Sequence, residues 1–416
     1  MARNILKTIL RWLSRLILWK YRPLIIAITG SVGKTSAKEA VFAVVSVKST
    51  ARKSEGNYNN EIGVPLVILG NISPGRNFFG WLWVFAKAIL IFFLPVPYPK
   101  ILVLEMGADQ RGDIAYLTSF VKPSISVVTS VGPSHLENFE KIEDIVREKS
   151  NLVAALQGGT AILNYDDPAV KQMAGKHKGK TIYYGLDSGA DISASDIIYR
   201  QQGLVFKVRH SGNIVPIELR DVLGKPSVYA ALTGAAVGIV LKLNLVEVGR
   251  ALRSYRTLPG RLRLLNGIKS TTIIDDTYNS SPASLIAAIE ILAILPANRR
   301  IAILGDMAEL GDATEGSHRQ VGRAVAEKKM DILITVGPKS KFAGEEARLV
   351  GYKKDQILEF ENSDEARVPV QNFIRPGDMI LVKGSQAARM EKIVKEIMAE
   401  PEKAAELLCR QSDSWL

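Results

Sequence analysis

The stretch "PLIIAITGSVGKTSAKEAVFAVV", residues 23–45, indicates the class of fold. Its first apolar run is typical of a buried strand, the glycines predict a turn, and the remainder is a helical pattern. A strand that enters a helix through a Gly-rich turn directs backbone N–H groups and the helix N-terminus towards a phosphate. The stretch therefore predicts a phosphate-binding loop, called the P-loop below.

The loop also suggests which residues bind a nucleotide. Lys34 would reach the outer phosphates and Thr35 would give an oxygen ligand to Mg²⁺. The first position of the strict GxxxxGK[ST] motif is Ile28, so the prediction depends on the strand–turn–helix context. The predicted nucleotide contacts are Gly30, Ser31, Gly33, Lys34, Thr35 and Ser36.

Strand patterns continue to alternate with helical patterns after this loop. "KILVLEMG" and "SISVVTSVG" are further buried strands, and a second alternating series begins near residue 299. Residues 182–220 show the alternation of a small antiparallel patch. The pattern predicts an α/β protein: a P-loop, doubly wound, mostly parallel central domain and a smaller Rossmann-like α/β C-terminal domain. The predicted boundaries are a basic helix over 1–22, a central ATP-binding domain over 23–260, a junction over 261–298 and a C-terminal domain over 299–416.

Two residues at strand ends are candidate metal ligands. P-loop proteins need a second carboxylate for the metal, and Glu105 ends the strand ILVLE. His135 follows the next strand, where a neutral imidazole could join a second metal. A lone histidine is more often a structural hydrogen-bonding residue, and position alone leaves both interpretations open.

The composition limits the class of partner. The formal net charge of +12 favours an anionic partner such as a nucleotide, a nucleic acid or lipid headgroups, without choosing among them. The single cysteine, Cys409, excludes a disulfide framework and a cysteine-based zinc site.

Residues 1–22 form a basic amphipathic pattern. Basic residues recur every four positions, and no acidic residue precedes Glu39. They interrupt the apolar run at each turn, which excludes a secretory signal. Two interpretations stay open: a helix in the headgroup plane of a membrane, and a helix docked on the protein's own surface.

A second apolar segment lies over 78–99. Its run from Phe78 to Leu94 has 17 residues, about 26 Å as a helix, against about 30 Å for a bilayer core. One crossing there would put Lys34 and Glu105 on opposite sides of a membrane, although they must share one Mg²⁺. We therefore expect a surface insertion that faces a membrane or a partner, with core filling or an oligomer contact as alternatives.

Many separated motifs resemble the Mur ligase family. They are "ITGSVGKTSAKE", "GNYNNEIGVPL", "VLEMGADQRGDIAYL", "KPSISVVTSVGPSHLENF", "LPGR", "IIDDTYNSSPASL", "ILGDMAELG" and "LVKGS". The resemblance implies an ATP-dependent amide ligase that works through an acyl phosphate. It is strongest to the members that join D-alanyl-D-alanine to a muramyl tripeptide precursor in peptidoglycan synthesis.

The resemblance also assigns roles to residues. Lys34 and Thr35 would bind phosphate and the first Mg²⁺ with Glu105, and His135 would bind a second Mg²⁺. Lys149 matches the family lysine that is carbamylated and supports the second metal. For ATP, the resemblance implies Arg261 at the phosphates, Asp276 at the ribose and Asn279 at the adenine. The residues assigned to substrate are Asn57, Asn59, Asn60, Asp306, Glu309, His318, Lys383 and Ser385.

Several positions depart from the family pattern. Only 23 residues precede the P-loop strand, so the usual N-terminal UDP-binding domain is expected to be absent. The family pattern is also altered at Pro226-Ser227, which weakens an adenine-side contact, and at Ser281 and Gln386. Asn151 replaces the glutamate expected two residues after Lys149. Catalysis by ATP and metal is thus better supported than the identity of the acceptor.

Two alternatives follow from these departures. One is a ligase for another carboxylate acceptor, of folate or polymer type, and the other is a catalytically silent nucleotide-binding scaffold at a membrane. Retention of Glu105, His135 and Lys149 argues against the scaffold. The expected location is the cytoplasm, with peripheral contact to the inner face of the plasma membrane as an open addition, and no nucleic-acid partner is expected.

Overall fold

The computed structural model describes residues 2–56, 58–132, 139 and 141–412. The chain forms two compact units. Unit 1 comprises residues 1–197, 206–218 and 228–255. Unit 2 comprises residues 198–205, 219–227 and 256–416.

Strands and helices largely alternate up to residue 185, and three further strands and two helices follow up to residue 252. The strands are β1 Leu24–Thr29, β2 Ala51–Lys53, β3 Ile101–Glu105, β4 Ile125–Val128, β5 Thr160–Asn164, β6 Lys180–Gly185, β7 Ile192–Arg200, β8 Gly203–His210 and β9 Asn213–Arg220. The helices are α1 Ala2–Tyr21, α2 Lys34–Ser46, α3 Gly63–Leu69, α4 Phe78–Phe93, α5 Asp113–Thr118, α6 Ile142–Ala154, α7 Pro168–Lys171, α8 Lys225–Val240 and α9 Leu245–Leu252.

The nine strands form one sheet in the order β2-β3-β1-β4-β5-β6-β7-β8-β9. The neighbours from β2 through β7 pair in parallel. Strand β1 lies between β3 and β4, so the P-loop emerges between two neighbouring strand ends. In this register Ile28 of β1 pairs with Glu105, the last residue of β3. Strands β7, β8 and β9 are joined by two-residue turns and extend the same sheet at its edge.

Helix α1 packs one apolar face into unit 1. Leu10 and Ile17 are fully buried in the core that covers β1 and β3, and Leu6 and Leu13 pack against it. The first two of its basic residues are tied to the same unit, since Arg3 and Lys7 both pair with Glu61. Of the two interpretations of residues 1–22, docking on the protein's own surface is therefore observed for one face of the helix.

The elements after residue 260 form a second α/β arrangement. The strands are β10 Arg263–Asn266, β11 Thr272–Asp276, β12 Arg299–Gly305, β13 Ile332–Val336, β14 Ile357–Phe360 and β15 Asp378–Lys383. The helices are α10 Pro282–Ile294, α11 Thr314–Glu327, α12 Lys341–Leu349, α13 Ser363–Phe373, α14 Glu391–Ile397 and α15 Ala404–Leu407. The sheet order is β10-β11-β15-β12-β13-β14, in which only β10 among the described strands pairs antiparallel.

Both sheets have helices between parallel strands, so the predicted fold class, a doubly wound central domain and a smaller α/β C-terminal domain, is confirmed. The residues of the predicted junction, 261–298, form β10, β11 and α10. Leu264, Ile274 and Leu285 of these elements are buried in the core of unit 2, to which this segment belongs.

Helix α4 occupies most of the apolar segment. No helix among the described residues is both long and apolar enough to cross a membrane. Along α4 only Val84 and Ala88 are buried. Core filling thus accounts for one narrow face of this helix, and its other side chains remain at or near the surface of unit 1.

Candidate active site

The P-loop depends on glycine at two positions. Gly30 has a φ of +152°, and a Cβ added there would lie 2.0 Å from Thr129 Oγ1. Gly33 has a φ of +86° and precedes the first residue of α2. Thr129 donates a 2.6 Å hydrogen bond from Oγ1 to the Val32 carbonyl, which fixes the loop against the end of β4. The loop is therefore held in a conformation that only glycine fits at Gly30.

Two lysine ammonium groups meet at one backbone oxygen of this loop. Lys34 Nζ donates to the Gly30 carbonyl at 2.7 Å, and Lys149 Nζ donates to the same oxygen at 3.1 Å. Lys149 comes from α6 and is buried. Burial, with the nearby charge of Lys34, lowers the pKa of Lys149 to about 8. The arrangement concentrates positive charge where the sequence predicts phosphate.

Glu105 lies at the end of β3 as predicted and is buried. Its Oε1 accepts a 3.2 Å hydrogen bond from Asn59 Nδ2, whereas Oε2 has no hydrogen-bond partner in the described part of the chain. Lys38 Nζ lies 3.9 Å from Glu105 Oε2. A buried carboxylate oxygen without a donor is costly unless a cation meets it, and carboxylate oxygens suit Mg²⁺. Glu105 therefore fits the predicted metal role.

The described residues contain no group of three His, Cys, Asp or Glu side chains close enough to hold a metal. Thr35 lies in the first turn of α2, directly after the P-loop. Its hydroxyl and the Glu105 carboxylate are therefore the described candidates for metal ligands. His135, predicted for the second metal, and Asn57, predicted for substrate, lie outside the described residues. Their roles stay predictions.

Lys38 is a polar residue of the site that the sequence did not single out. It is fully buried on α2, one turn after Lys34, and its Nζ lies 3.3 Å from Glu39 Oε1. Glu39 also pairs with Lys53 at 2.5 Å. The i, i+4 spacing from Lys34 was the available signal, because it places both lysines on one helix face.

The predicted P-loop and asparagine residues take distinct roles. Ser31 Oγ donates to the Gly132 carbonyl at 3.0 Å, and Ser36 lies in the first turn of α2. Asn59 holds Glu105, as described. Asn60 Oδ1 accepts hydrogen bonds from the backbone N–H groups of Ile62 and Gly63, which caps the start of α3. Asn60 therefore has a structural role in this structure.

Unit 2 brings together residues that were predicted for separate ligands. Asp276 and Lys383 end the neighbouring strands β11 and β15, and their side chains pair at 2.6 Å. Lys383 Nζ also donates to the Asn279 carbonyl at 2.8 Å. Lys383, which the resemblance assigns to the substrate, thus contacts both Asp276, assigned to the ribose, and Asn279, assigned to the adenine.

Three buried polar atoms near these strand ends have no hydrogen-bond partner in the described chain: Arg261 Nε, Ser280 Oγ and Ser385 Oγ. The Arg261 guanidinium lies 4.2 Å from the centre of the Tyr278 ring. Buried polar groups are normally hydrogen-bonded, so unsatisfied atoms of this kind are places where a polar ligand can bind. Ser280 was not among the predicted residues.

Asp306 and His318, predicted for substrate, form internal hydrogen bonds. Asp306 Oδ1 accepts from the backbone N–H groups of Lys339 and Ser340. His318 is buried, its Nε2 accepts from Met307 N–H at 3.1 Å, and its Nδ1 lies 2.7 Å from the Thr314 carbonyl. Both side chains thereby hold loops of unit 2.

Glu309 lies in the same loop as Met307 and differs from these two residues. It is exposed and has a φ of +61°. Of the predicted substrate residues in "GDMAELG", Glu309 is therefore the one whose side chain is open to solvent.

Two curated proteins with similar sequences carry the same enzyme name. The UDP-N-acetylmuramoyl-tripeptide–D-alanyl-D-alanine ligase of Bacillus subtilis is 29% identical over 395 residues, which cover 95% of this chain and 80% of that protein. The enzyme of the same name from Synechocystis is 30% identical over 378 residues, 90% of this chain and 75% of its own length.

The chain belongs to the Mur ligase family. Residues 91–238 of this Mur ligase match the model of the Mur ligase middle domain, and residues 260–386 match the glutamate ligase domain. The resemblance noted from the motifs is thereby confirmed.

Solved structures agree with this family. MurF from Acinetobacter baumannii matches at a TM-score of 0.76 and 26% identity, covering 92% of this Mur ligase and 79% of that chain. The MurF ligase from Thermotoga maritima in complex with ADP matches at a TM-score of 0.74 and 25% identity, covering 95% and 84%.

Proposed function

We propose that this Mur ligase joins the amine of D-alanyl-D-alanine, or a similar donor, to the carboxylate of a muramyl tripeptide precursor at the expense of ATP. The observation that carries the proposal is the meeting of Lys34 and Lys149 at the Gly30 carbonyl, beside a β3 that ends in Glu105. The relatives named above act on these substrates, which supports the same choice here.

The chemistry requires two anions to approach each other. A substrate carboxylate attacks the γ-phosphate of ATP and displaces ADP to form an acyl phosphate, and the incoming amine then displaces phosphate. Fixed positive charge reduces the repulsion between carboxylate and triphosphate, and Lys34 supplies such a charge. Mg²⁺, held by Thr35 and Glu105, would neutralise charge on the phosphate oxygens.

We propose that Lys149 reacts with carbon dioxide to form a carbamate. Its neutral amine adds to the carbon of CO₂ and releases one proton, so the side chain changes from a cation to a carboxylate-like anion. A pKa of about 8 leaves about a tenth of the lysine neutral at pH 7, which favours the reaction. The anion would face Lys34 and support the second metal together with His135.

We propose that unit 2 binds the adenosine part of ATP and the amine donor. Asp276, Asn279 and Lys383 form one connected group at the ends of β11 and β15. The buried Arg261 Nε and Ser385 Oγ lie close to these elements in sequence and have unsatisfied hydrogen-bonding capacity. Glu309 is the exposed candidate for contact with the donor.

The proposal is tested by phosphate release from ATP and Mg²⁺. Release is expected only when the tripeptide precursor and D-alanyl-D-alanine are both present, and Lys34→Met should abolish it. With hydroxylamine in place of the amine donor, the acyl phosphate should be trapped as a hydroxamate. Phosphate release that does not depend on the acceptor would overturn the ligase assignment.

The same assay addresses the acceptor. A folate-type or polymer-type carboxylate that supports faster release than the muramyl peptide would replace it as the substrate, because the substrate-side positions Ser281 and Gln386 depart from the family pattern. Mass spectrometry of the product identifies the bond that is formed.

We also propose that the protein acts in the cytoplasm and contacts a membrane peripherally through residues 1–22 and 78–94. Ligase chemistry does not require this contact. Its support is the set of exposed apolar side chains on α1 and α4.

A further inference from the structure

Helix α1 carries two apolar stripes instead of one. The buried stripe contains Leu10 and Ile17 and faces the core of unit 1. The second stripe is exposed and consists of Ile5, Ile9, Trp12, Leu16 and Trp19, spaced by alternating steps of four and three residues. This spacing keeps them on one side of the helix. A helix that only docks on its own protein needs one stripe, so the second indicates another contact.

Helix α4 presents a broader apolar surface. Phe79 is 79% exposed, Trp83 64% and Phe93 75%. The only charged residue of the helix, Lys87, is turned to the protein, since its Nζ donates to the Gly70 carbonyl at 2.7 Å and to Asn71 Oδ1 at 3.1 Å. The exposed side of α4 is therefore without charge along its whole length.

The two surfaces are continuous at one end. Lys20 Nζ of α1 donates to the carbonyls of Ile91 and Leu94 at 2.8 and 2.6 Å. The Trp19 ring lies 6.5 Å from that of Phe92, which is stacked edge to face on Phe93 at 5.1 Å. We call the exposed stripe of α1 and the exposed side of α4 together the apolar face.

Basic residues predominate around the apolar face, where Glu61 pairs with Arg3 and Lys7. No acidic residue occurs in residues 1–38 or 62–104, whereas nine basic residues lie within 1–22 and 62–104. Among them Arg22, Arg76 and Lys100 are exposed. A second copy of this chain would place like charges opposite each other, which disfavours self-association through this face. Negatively charged lipid headgroups match it.

We infer that the apolar face inserts in the interfacial plane of a membrane that contains anionic lipids, with α1 and α4 lying along the surface. Exposed tryptophans suit the boundary between headgroups and acyl chains, and basic residues beside an apolar helix face add attraction to anionic lipid. The inference rests on the peripheral contact proposed above and is independent of the ligase reaction.

Flotation of the full chain with vesicles tests the inference. We expect binding to vesicles of phosphatidylcholine mixed with phosphatidylglycerol, and weak binding to phosphatidylcholine alone. The double variant Trp83→Ser, Phe93→Ser should weaken binding by about tenfold or more, because it removes apolar area that the membrane would bury. Leu349→Ser is the matched control, since Leu349 is 76% exposed and lies on α12 in unit 2.

The charge contribution is measured with Arg22→Gln, Arg76→Gln. Each lost charge should lower binding to the anionic vesicles about fivefold, and added salt should lower it in the wild type. Lys176→Gln, Lys178→Gln removes two exposed charges elsewhere in unit 1 and should change little. Equal binding to both vesicle types would overturn the anionic-lipid inference and leave the peripheral contact standing.

Two further outcomes would overturn the inference as a whole. One is the lack of flotation with either vesicle. The other is a stable dimer in sedimentation that Trp83→Ser, Phe93→Ser dissociates, since the apolar face would then be covered by a second copy. Phosphate release with soluble substrates should be unchanged in all these variants, so failure of the membrane inference is distinguishable from failure of the ligase proposal.

Discussion

At the scale of single residues, Lys149 offers the sharpest test of the proposed chemistry. Lys149→Ala should lower phosphate release by about 10²-fold or more, because the carbamate that would support the second metal is lost. Acetate or formate should restore part of the activity by occupying the place of the carbamate. Arg147→Ala is the control on the same helix, where the arginine is 79% exposed. Full activity of Lys149→Ala would refute the carbamate role.

Asp275 predicts a pH dependence of the stability of unit 2. Burial raises its pKa from 3.8 to about 6, although Thr277 and Gly260 donate hydrogen bonds to the carboxylate. The folded state then holds more protons than the unfolded state between these values. The Asp275 carboxyl therefore contributes to the free energy of unfolding below pH 4, and this contribution is lost as the pH rises to about 6. The loss is about 3 kcal/mol at most.

The measurement for Asp275 is hydrogen exchange of the β11 and β15 amides in the wild type and in Asp275→Asn, corrected for intrinsic rates. The free energy of opening of the wild type relative to the variant should fall between pH 4 and pH 6 and stay constant above. A difference that is flat across this range contradicts the predicted titration.

At the scale of elements, the P-loop and β4 form a tight pair. Gly30→Ala should weaken ATP binding by about tenfold or more in calorimetry, because its Cβ would overlap Thr129 Oγ1 and the loop would have to shift. Adding Thr129→Ala should recover part of the affinity. Gly175→Ala has open space around the new Cβ and should bind ATP normally. Unchanged affinity of Gly30→Ala would show that the loop is adaptable.

The two faces of α1 predict effects of different size on stability when two adjacent residues are truncated. Leu10→Ala should lower the free energy of unfolding by about 2–5 kcal/mol, as a core truncation does, whereas Ile9→Ala should change it by about 0.5 kcal/mol or less. Leu10 is fully buried and Ile9 is on the exposed stripe. Tryptophan fluorescence during denaturant unfolding is the readout. Equal, small effects would mean that α1 is not part of the core of unit 1.

The sequence predicted that α1 and α4 are helices, but it did not predict which face of each helix is buried. Both stripes of α1 consist of apolar residues, and periodicity could not tell which one packs on Leu104 and its neighbours. Likewise the direction of the Lys87 side chain could not be predicted from α4 alone, because its Nζ donates to the Gly70 carbonyl at the end of α3. The strand–turn–helix arrangement around the P-loop was predicted correctly because strand, glycines and helix are adjacent in the chain.

At the scale of the whole molecule, ATP should stabilise the chain by mass action. At 100 times its dissociation constant, ATP with Mg²⁺ should add about 2.7 kcal/mol to the free energy of unfolding reported by tryptophan fluorescence. Four of the five tryptophans belong to unit 1, which holds the P-loop. Lys34→Met should show little of this gain. Equal stabilisation of both proteins would indicate that ATP binds elsewhere.

The positions of the candidate site residues in the fold were easier to predict than the division of the molecule into two units. The motifs around Lys34, Glu105 and Lys383 are short and follow strand ends, so their positions are apparent from the sequence. The roles of Lys383 and Asn59 depend on partners far along the chain, Asp276 and Glu105. Unit 2 takes in residues 198–205 and 219–227, which no local pattern marks.

This interleaving affects how the chain folds as it is synthesised. The segment 219–227 hydrogen-bonds to the strand that begins at Arg263, through Leu264 N–H to the Asp221 carbonyl and Leu223 N–H to the Leu262 carbonyl. It therefore emerges from the ribosome before its partner strand exists. A fragment that ends at residue 255 would leave these backbone groups unpaired. Unit 1 and unit 2 are thus coupled in biosynthesis even though each has its own core.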